Sequence, residues 1–383
     1  GASVTKKKND LALIVSDTEC TAAAVYTTNK VKGAPILVTK EHIKDGKARA
    51  VIVNSVNANT CNPDGYEKAS RMCELAADQL GLKAEDIIVA STGVIGQVLP
   101  IEPIANGMKS LAEGLTYDGN DRALEAIMTT DTMPKEVAVK FRLGGVTCTM
   151  GGMLKGSGMI HPNMATTLTF ITTDADISAE LLQRALSDIV KVTLNRASVD
   201  GDTSTNDMVC VLASGSAGNK TVCREDVDFE EFETALYAIM MNLARKMARD
   251  GEGATKLIEC SVSGAETEKI AETVAKSVIC SSLFKAAMFG EDANWGRILC
   301  AVGYADADFD INKVDVKIAS AKGSVEVCKN GAGVEVSEEK AKERLGEEVI
   351  EIIISIGNGA GEAVAWGCDL TYDYVKINGD YRS

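Results

Sequence analysis

The stretch KGSGMIHPNMATTLTFITTD, residues 155–174, is the part of the chain around which the predicted fold is arranged. It begins as a glycine-rich loop, contains the helix-breaking Pro162, and then alternates apolar with β-branched residues, which predicts a strand beginning at or near Thr166. A threonine after Ala165, where a loop enters a strand, is a candidate for autocleavage. Its hydroxyl would attack the preceding carbonyl, and the freed amine would then serve as that hydroxyl's base. A plain threonine-rich strand after a tight loop fits the same pattern, so both interpretations stay open.

The composition is that of a globular protein. The chain has 383 residues, 45% of them apolar and 25% charged, which allows two or three domains with well-filled cores. Its formal net charge is −15 and it lacks a basic patch, so we expect neither nucleic acid nor an anionic membrane as a partner. No apolar run reaches the length of about 20 residues that spans a bilayer, and the start lacks a signal-peptide pattern. These features favour a cytoplasmic protein.

Cysteine and histidine restrict the chemistry that the chain can perform. The 11 cysteines include no C-x-x-C pair, which favours reduced, buried thiols over disulfides or a zinc site. With two histidines in the chain, a Ser-His-Asp relay or a multi-histidine metal site would have to use His42 or His161. His42 lies in a charged stretch and is interpreted as solvated, whereas His161 lies close to Thr166. An N-terminal threonine brings its own base, an α-amine with a pKa of about 7.7–8.0.

The remaining periodicities alternate between strand and helix, which predicts an α/β chain without an internal repeat. Residues 10–30 indicate a pair of strands, residues 137–150 a hairpin, and residues 273–287 a single helix. The final stretch, residues 369–383, alternates and indicates an ordered, extended tail. Further helices are predicted over residues 66–80, from about 123, from 178, over 229–249 and from 337, and further strands over 50–54, 86–91, 208–212, 254–264, 314–318 and 325–327.

Two loops carry candidate functional groups. The strand that ends near residue 91 runs into the small-residue turn Thr92-Gly93, whose backbone N–H groups and hydroxyl could bind an oxyanion. A tight turn that needs glycine for its dihedral angles explains the same residues. Residues 289–298 crowd two carboxylates, an amide, an indole and an arginine, which makes this loop a candidate for ligand recognition.

Several segments together resemble one family, the bifunctional glutamate N-acetyltransferase, or ornithine acetyltransferase, family of arginine biosynthesis. They follow the family's order and cover nearly the whole chain. The matching segments are residues 90–96, 126–132, 155–159, 164–166, 200–207, 289–292, 294–297 and 376–378.

The resemblance implies a layered helix–sheet–sheet–helix core like that of the L-aminopeptidase and ornithine acetyltransferase fold, with a smaller α/β module at the C-terminus. We expect a core domain over residues 1–175, a middle segment over 176–280, and a C-terminal module over 281–383 whose tail returns to the active site. The family also implies cleavage between Ala165 and Thr166 into an α chain, 1–165, and a β chain, 166–383. Two such pairs would form an α2β2 assembly.

The resemblance also implies roles for individual residues. Thr166 would be the catalytic nucleophile, with Thr92 and Gly93 as the oxyanion hole. The substrate-contact positions would be Thr132, Lys155, Thr166, Glu291, Asn378 and Ser383.

The implied reaction is a double displacement. Thr166 takes the acetyl group from N-acetylornithine as an ester and passes it to glutamate, giving ornithine and N-acetylglutamate. No metal or cofactor is expected, and whether acetyl-CoA also serves as a donor stays open. Two alternatives remain: an N-terminal-nucleophile hydrolase or aminopeptidase on the same scaffold, and a metabolite-binding α/β protein without catalysis.

The chain departs from the family's pattern at four positions. Val56 and His161 stand where glycine and a small residue are usual, and Thr167 and Ser383 stand where methionine and threonine are common. If the family's glycine is needed at positive φ, the β-branched Val56 would strain its loop. The imidazole of His161 could tune Thr166, but a family that functions without it favours a bystander.

Overall fold

The computed structural model describes residues 9–161 and 167–380. These residues form two compact units. The first comprises residues 9–161, 167–195 and 203–243, and the second comprises residues 196–202 and 244–380. Each unit has its own sheet and its own hydrophobic core. The predicted α/β class is confirmed.

This division differs from the three segments expected from the sequence, whose boundaries fall after residues 175 and 280. Residues 203–243 belong to the first unit, because the strand Met208–Ala213 pairs with two other strands of that unit's sheet. Periodicity indicates where a strand lies in the chain but not which sheet it joins.

The described part of the first unit contains a seven-stranded mixed sheet. Its strands are β1 (Leu11–Tyr26), β2 (Lys47–Asn54), β3 (Ile87–Ser91), β4 (Lys135–Leu143), β5 (Val146–Lys155), β6 (Leu168–Thr173) and β7 (Met208–Ala213). They are hydrogen-bonded in the order β3-β2-β1-β7-β6-β5-β4. The predicted hairpin is confirmed as β4–β5, and the strand expected from about Thr166 begins at Leu168.

The expected pair of strands over residues 10–30 is wrong, because β1 is one continuous strand of 16 residues. The pairing of β1 with β2 shifts register between Val15 and Cys20, and from Thr21 onward β1 also pairs with β7. The polar residues between the two apolar runs therefore occupy an irregular part of one strand. An extended chain that acquires a second neighbour along its length looks, in sequence, like two strands with a turn.

The helices of the first unit cover both faces of its sheet. They are α1 (Ala34–His42), α2 (Gly65–Leu80), α3 (Ile101–Glu113), α4 (Asn120–Ile127), α5 (Ala179–Val192) and α6 (Val227–Arg249), the last of which continues past residue 243 into the second unit. On β2, Ile52 packs in a cluster with Met72 of α2, whereas the next residue, Val53, packs in a cluster with Leu124 of α4. Burial on both faces explains the continuous apolar run of β2.

Helix α3 was not predicted. It carries Pro103 near its start and Gly107 at its centre, and both residue types argue against a helix in a sequence pattern. Proline is tolerated in the first turn, where its missing N–H has no partner within the helix. Buried Ile104 and Met108 anchor the helix against the sheet, so packing overrides propensity here.

The described second unit contains a six-stranded sheet. Its strands are β8 (Leu257–Ala265), β9 (Asp315–Ser320), β10 (Gly323–Lys329), β11 (Ala332–Gly333), β12 (Val349–Ser355) and β13 (Gly361–Cys368), and its helices are α7 (Glu268–Cys280), α8 (Ser282–Phe289), α9 (Trp295–Gly303), α10 (Glu338–Leu345) and α11 (Tyr372–Asp380). The strand order is β11-β10-β9-β12-β8-β13. Only β8 and β12 pair in parallel.

Two expectations for this unit are wrong. The single helix over residues 273–287 is broken at Ser281, whose hydroxyl accepts the backbone N–H of Phe284 and so begins α8 as a separate helix. The tail expected to be extended is the helix α11 as far as Asp380. Alternation over a few residues cannot distinguish a strand from a short exposed helix, in which no apolar stripe has to form. No helix within the described residues is long and apolar enough to cross a membrane.

Candidate active site

The turn Thr92-Gly93 follows β3 and is fixed by the neighbouring loop. The N–H of Thr92 donates to the carbonyl of Asn54 at 2.9 Å, which extends the parallel pairing of β2 and β3 by one bond. Gly93 has φ of +124°, and a Cβ there would lie 2.2 Å from the carbonyl oxygen of Val56. Only glycine fits this position. Among the described residues, the N–H of Gly93 has no hydrogen-bond acceptor.

If Gly93 is the oxyanion donor that the resemblance implies, replacing it by alanine should lower kcat about 100- to 1000-fold, the cost of losing one such donor. The added methyl group would collide with backbone and move the N–H away from the reacting oxygen. Steady-state kinetics of the purified variant measures the effect.

Gly96→Ala is the matched control for this substitution. Gly96 lies in the same loop at φ of +77°, but a Cβ there meets nothing within 4 Å. Gly96→Ala should lower the free energy of unfolding by about 1–2 kcal/mol, because alanine is strained in a left-handed conformation, and it should leave kcat near the wild-type value. Equal losses of kcat in the two variants would contradict the assignment of Gly93.

Lys155 is brought to this turn by the sheet. It is the last residue of β5 and is buried, and its Nζ lies 3.3 Å from the hydroxyl oxygen of Thr92. Because an ammonium group only donates, the hydroxyl of Thr92 accepts from it and keeps its own proton for another acceptor. Two residues that stand far apart in the sequence are therefore in contact in the fold.

A buried ion pair connects Lys155 to the segment that carries Thr132. Asp131 and Lys135 have fully buried side chains, each 0% exposed, with 2.6 Å between Oδ1 and Nζ. The same oxygen of Asp131 accepts the N–H of Gly156 at 2.7 Å, and its second oxygen accepts the N–H of Thr129 at 2.9 Å. Asp131 thus joins the loop after β5 to the loop before β4. Thr132, the next residue, is exposed.

The charge state of Asp131 follows from its neighbours. Burial by itself would raise the pKa of this carboxyl, but the ammonium groups of Lys155 and Lys135 outweigh it and lower the pKa to about 2. Asp131 is therefore ionised at neutral pH. Asp131 and Lys135 were assigned no role from the sequence, although Asp131 lies within the family-matching segment 126–132.

A second carboxyl near Lys155 has the opposite environment. Asp207 immediately precedes β7 and is buried, and its Oδ2 has no hydrogen-bond partner among the described residues. Burial raises the pKa of Asp207 well above its usual value, against the opposing effect of Lys155. Asp207 was assigned no role from the sequence either, although it is the last residue of the matching segment 200–207.

Ala165 and Thr166 lie outside the described residues, so the structure does not place the predicted nucleophile. Its neighbour Thr167 is buried, and the carbonyl of Thr167 accepts the N–H of Met208 at 2.8 Å. The hydroxyls of Thr167 and Thr169 lie 2.5 Å apart. The threonine that replaces the family's usual methionine therefore has a partner for its buried hydroxyl.

Two of the predicted substrate contacts lie in the second unit. Glu291 adopts φ of +54°, an uncommon value for a non-glycine residue, and its carboxylate lies 3.8 Å from the buried Nζ of Lys256. Asn378 lies on α11 and its amide donates to Glu252 at 2.7 Å. Ser383, the remaining contact, lies outside the described residues.

Both histidines and Val56 lie within the described residues. His42 is not a solvated residue, because it is half-buried at the end of α1 with Nδ1 at 2.8 Å from the carbonyl oxygen of Ile87. The carbonyl of His161 accepts the hydroxyl of Thr203 at 2.8 Å. Val56 is exposed and does not adopt positive φ; in its loop that conformation occurs at Asn59 and other residues. The expected strain at Val56 is absent. Among the described residues, no group of three potential metal ligands comes together.

Known proteins are similar to this chain along its whole length. A family model described as the ArgJ family matches residues 1–383. An arginine biosynthesis bifunctional protein ArgJ of Caldanaerobacter subterraneus is 50% identical over 383 residues, which are 100% of this chain and 95% of the relative. ArgJ 1 of Clostridium acetobutylicum is 49% identical over 377 residues, which are 98% of this chain and 92% of the relative.

A solved structure agrees with the fold. The crystal structure of the arginine biosynthesis bifunctional protein ArgJ from Bacillus halodurans is 46% identical, with a TM-score of 0.52, and the match covers 55% of this chain and 97% of that one. The mixed α/β fold and these relatives define an acetyl-transferring enzyme of arginine biosynthesis. The chain belongs to the ArgJ family.

Proposed function

We propose that this enzyme transfers acetyl groups from N-acetylornithine to glutamate through an ester on Thr166. The nucleophile would first be released by cleavage of the peptide bond between Ala165 and Thr166. Cleavage frees an α-amine that can accept the proton of the Thr166 hydroxyl. The length of the solved Bacillus chain fits one product of such a cleavage, because 97% of it corresponds to 55% of the present chain.

The proposed reaction proceeds in two halves, each with one proton carried by the α-amine of Thr166. The hydroxyl oxygen of Thr166 attacks the acetyl carbonyl as its proton moves to the α-amine, and the carbon–nitrogen bond then breaks as that proton passes to the departing ornithine. The amine of glutamate next attacks the ester carbonyl and gives a proton to the α-amine. The ester carbon–oxygen bond then breaks as that proton passes to the threonine oxygen, which restores the hydroxyl and releases N-acetylglutamate. Both tetrahedral intermediates carry one negative oxygen, which needs fixed donors.

The observation that carries the proposal is the contact between Lys155 and Thr92 beside the N–H of Gly93, which has no acceptor among the described residues. Since the Thr92 hydroxyl accepts from Lys155 at 3.3 Å, its proton is directed to another acceptor. Together with the Gly93 N–H it supplies two donors in a turn that is preorganised by glycine. Such a pair suits an oxygen that becomes negative only during the reaction.

The remaining assignments come from the resemblance. Thr132, Lys155, Glu291, Asn378 and Ser383 would contact the substrates, and we infer that the reaction needs no cofactor. We assign the enzyme to the cytoplasm as an α2β2 assembly of cleaved pairs. Several relatives are called bifunctional, which supports a second activity with acetyl-CoA as the donor.

Incubating the purified enzyme with N-acetylornithine and glutamate should give N-acetylglutamate and ornithine in equal amounts, measured by mass spectrometry. Glutamate labelled with ¹⁵N identifies the acceptor. Free acetate without N-acetylglutamate would refute transfer and favour the hydrolase. Replacing N-acetylornithine by acetyl-CoA in the same assay tests the second activity.

A further inference from the structure

A buried amide lies beneath the Thr92-Gly93 turn. Asn206, two residues before β7, is 6% exposed. Its Nδ2 donates to the carbonyl of Ser91 at 2.9 Å and to the carbonyl of Ala58 at 2.6 Å. One side chain therefore bonds to two segments that are distant in the sequence and adjacent in the fold.

The acceptor side of this amide is equally occupied. Its Oδ1 accepts the hydroxyl of Thr60 at 2.6 Å and the hydroxyl of Thr205 at 2.7 Å. A primary amide has two donor hydrogens and two acceptor sites. All four positions of Asn206 are filled, so the orientation of the amide is fixed and it cannot rotate without losing several bonds.

The two carbonyls that Asn206 binds lie on either side of the turn. Ser91 directly precedes Thr92. Ala58 belongs to the loop against which Gly93 packs, and its N–H donates to the carbonyl of Val94 at 2.9 Å. Asn206 thus holds the strand end before the turn and the loop beside it at one separation.

Neighbouring groups leave the amide no room to shift. A Cβ on Gly33 would lie 2.5 Å from Nδ2 of Asn206, so the amide rests directly on glycine backbone. The N–H of Gly33 also donates to the carbonyl of Thr205 at 3.0 Å. Space for the amide therefore depends on the absence of a side chain at residue 33.

We infer that Asn206 is a positioning residue for acetyl transfer: it sets the placement of the Thr92 and Gly93 donors relative to the reacting oxygen. This role rests on the proposed function of that turn. A displacement of about 1 Å at a reacting centre can cost about 100-fold in rate, so this amide can affect turnover without touching the substrate.

The test is Asn206→Asp, which keeps the size of the side chain. It replaces the donating NH₂ by an oxygen that faces two carbonyl oxygens, and the repulsion should move Ser91 and the loop at Ala58 apart. We expect kcat to fall about 100-fold, with KM for N-acetylornithine changed less than about twofold, because the oxyanion forms only after binding.

Asn219→Asp is the matched control. Asn219 is 5% exposed in the same unit, and its Nδ2 donates to the carbonyls of Asp176 and Lys220 at 3.1 and 2.9 Å. It has no hydrogen bond to the turn. The two variants should lose similar thermal stability, but Asn219→Asp should keep the wild-type kcat.

A double-mutant cycle with Thr92→Ala separates positioning from general destabilisation. If Asn206 acts through the turn, Asn206→Asp should slow the Thr92→Ala enzyme by much less than it slows the wild type.

Should Asn206→Asp fail to fold, Gly33→Ala moves the same amide and should give the same kcat loss.

The outcomes distinguish this inference from the proposed function. A wild-type enzyme that forms no N-acetylglutamate would overturn the proposed function and the inference with it. A wild-type enzyme that transfers normally, with Asn206→Asp retaining full kcat or losing only what Asn219→Asp loses, would overturn the inference alone. Additive effects in the cycle would do the same.

Discussion

Replacing Thr166 by alanine is expected to leave the purified protein as one full-length band and to abolish acetyl transfer. The substitution removes the hydroxyl that would cleave the chain and that would later carry the acetyl group. Loss of a covalent nucleophile lowers turnover by about a million-fold in enzymes whose catalytic groups act as a unit. Denaturing electrophoresis measures cleavage, and mass spectrometry of N-acetylglutamate measures acetyl transfer on the same preparation.

Thr166→Ser is the matched control, because serine keeps a hydroxyl and, after cleavage, an α-amine. It should still split into residues 1–165 and 166–383 and should retain measurable transfer. N-terminal sequencing of the smaller products locates the cleaved bond. A Thr166→Ala protein that splits like the wild type, or that transfers acetyl groups at the wild-type rate, would remove the basis of the proposed mechanism.

Replacing Asp131 by asparagine is expected to destabilise the protein by about 3–5 kcal/mol, since it removes the negative charge that faces a buried ammonium. Lys135 would keep its charge in a site where both side chains are 0% exposed. The double variant Asp131→Asn/Lys135→Met removes both charges and should recover most of the lost stability. Urea denaturation at pH 7 measures all three proteins.

The pH dependence of stability provides an independent readout of the same pair. The pKa of Asp131 is lowered to about 2 in the folded protein, against about 3.9 in an unfolded chain. A depressed carboxyl pKa gives stability that is complete above the unfolded value and is lost as the pH falls towards the folded one. The wild type should therefore lose about 2 kcal/mol more than the double variant between pH 6 and pH 2.

A surface pair serves as the control. Glu41 and Lys44 form an ion pair at 2.6 Å with side chains 58% and 67% exposed, so Glu41→Gln should change stability by less than about 1 kcal/mol. If Asp131→Asn were as mild as Glu41→Gln, the buried pair could not be what holds Gly156 and Thr129 together.

The double variant Asp131→Asn/Lys135→Met should also raise KM, because Lys155 would lose a fixed neighbour.

Much of the fold was predictable because the informative residues act locally. Gly81 ends α2 in a left-handed conformation, Ser178 caps α5 by accepting the N–H of Leu181, and a pair of glycines turns the β4–β5 hairpin. In each case one residue type satisfies a need of its own backbone. The predictions that were wrong concern the continuous strand β1 and the tail helix α11, whose conformations depend on the neighbours that the chain meets.

The candidate site divides in the same way. The small-residue turn made Thr92 and Gly93 candidates for oxyanion binding, whereas Lys155 was identified only through a motif shared with a family. Nothing in the spacing of the three residues required them to meet. It gave no role to Asp131, Asp207 or Asn206, although all three lie in segments that match the family. In a sequence pattern, an aspartate or asparagine in a polar loop indicates a surface residue. Burial, which the pattern does not show, changes the charge state of such a side chain or fixes its orientation.

Periodicity and short motifs are properties of neighbouring residues, so they sufficed to predict the α/β class, most strand and helix positions, the family, and the threonine proposed as nucleophile. Three features became apparent only in the folded chain: Lys155 reaches the hydroxyl of Thr92, Asp131 is ionised while the pKa of Asp207 is raised, and Asn206 bonds to both sides of the turn. Those properties depend on burial and on the distances between segments, some of which lie more than a hundred residues apart in the sequence. Electrostatic and hydrogen-bond energies depend on such separations, which the order of residues does not specify.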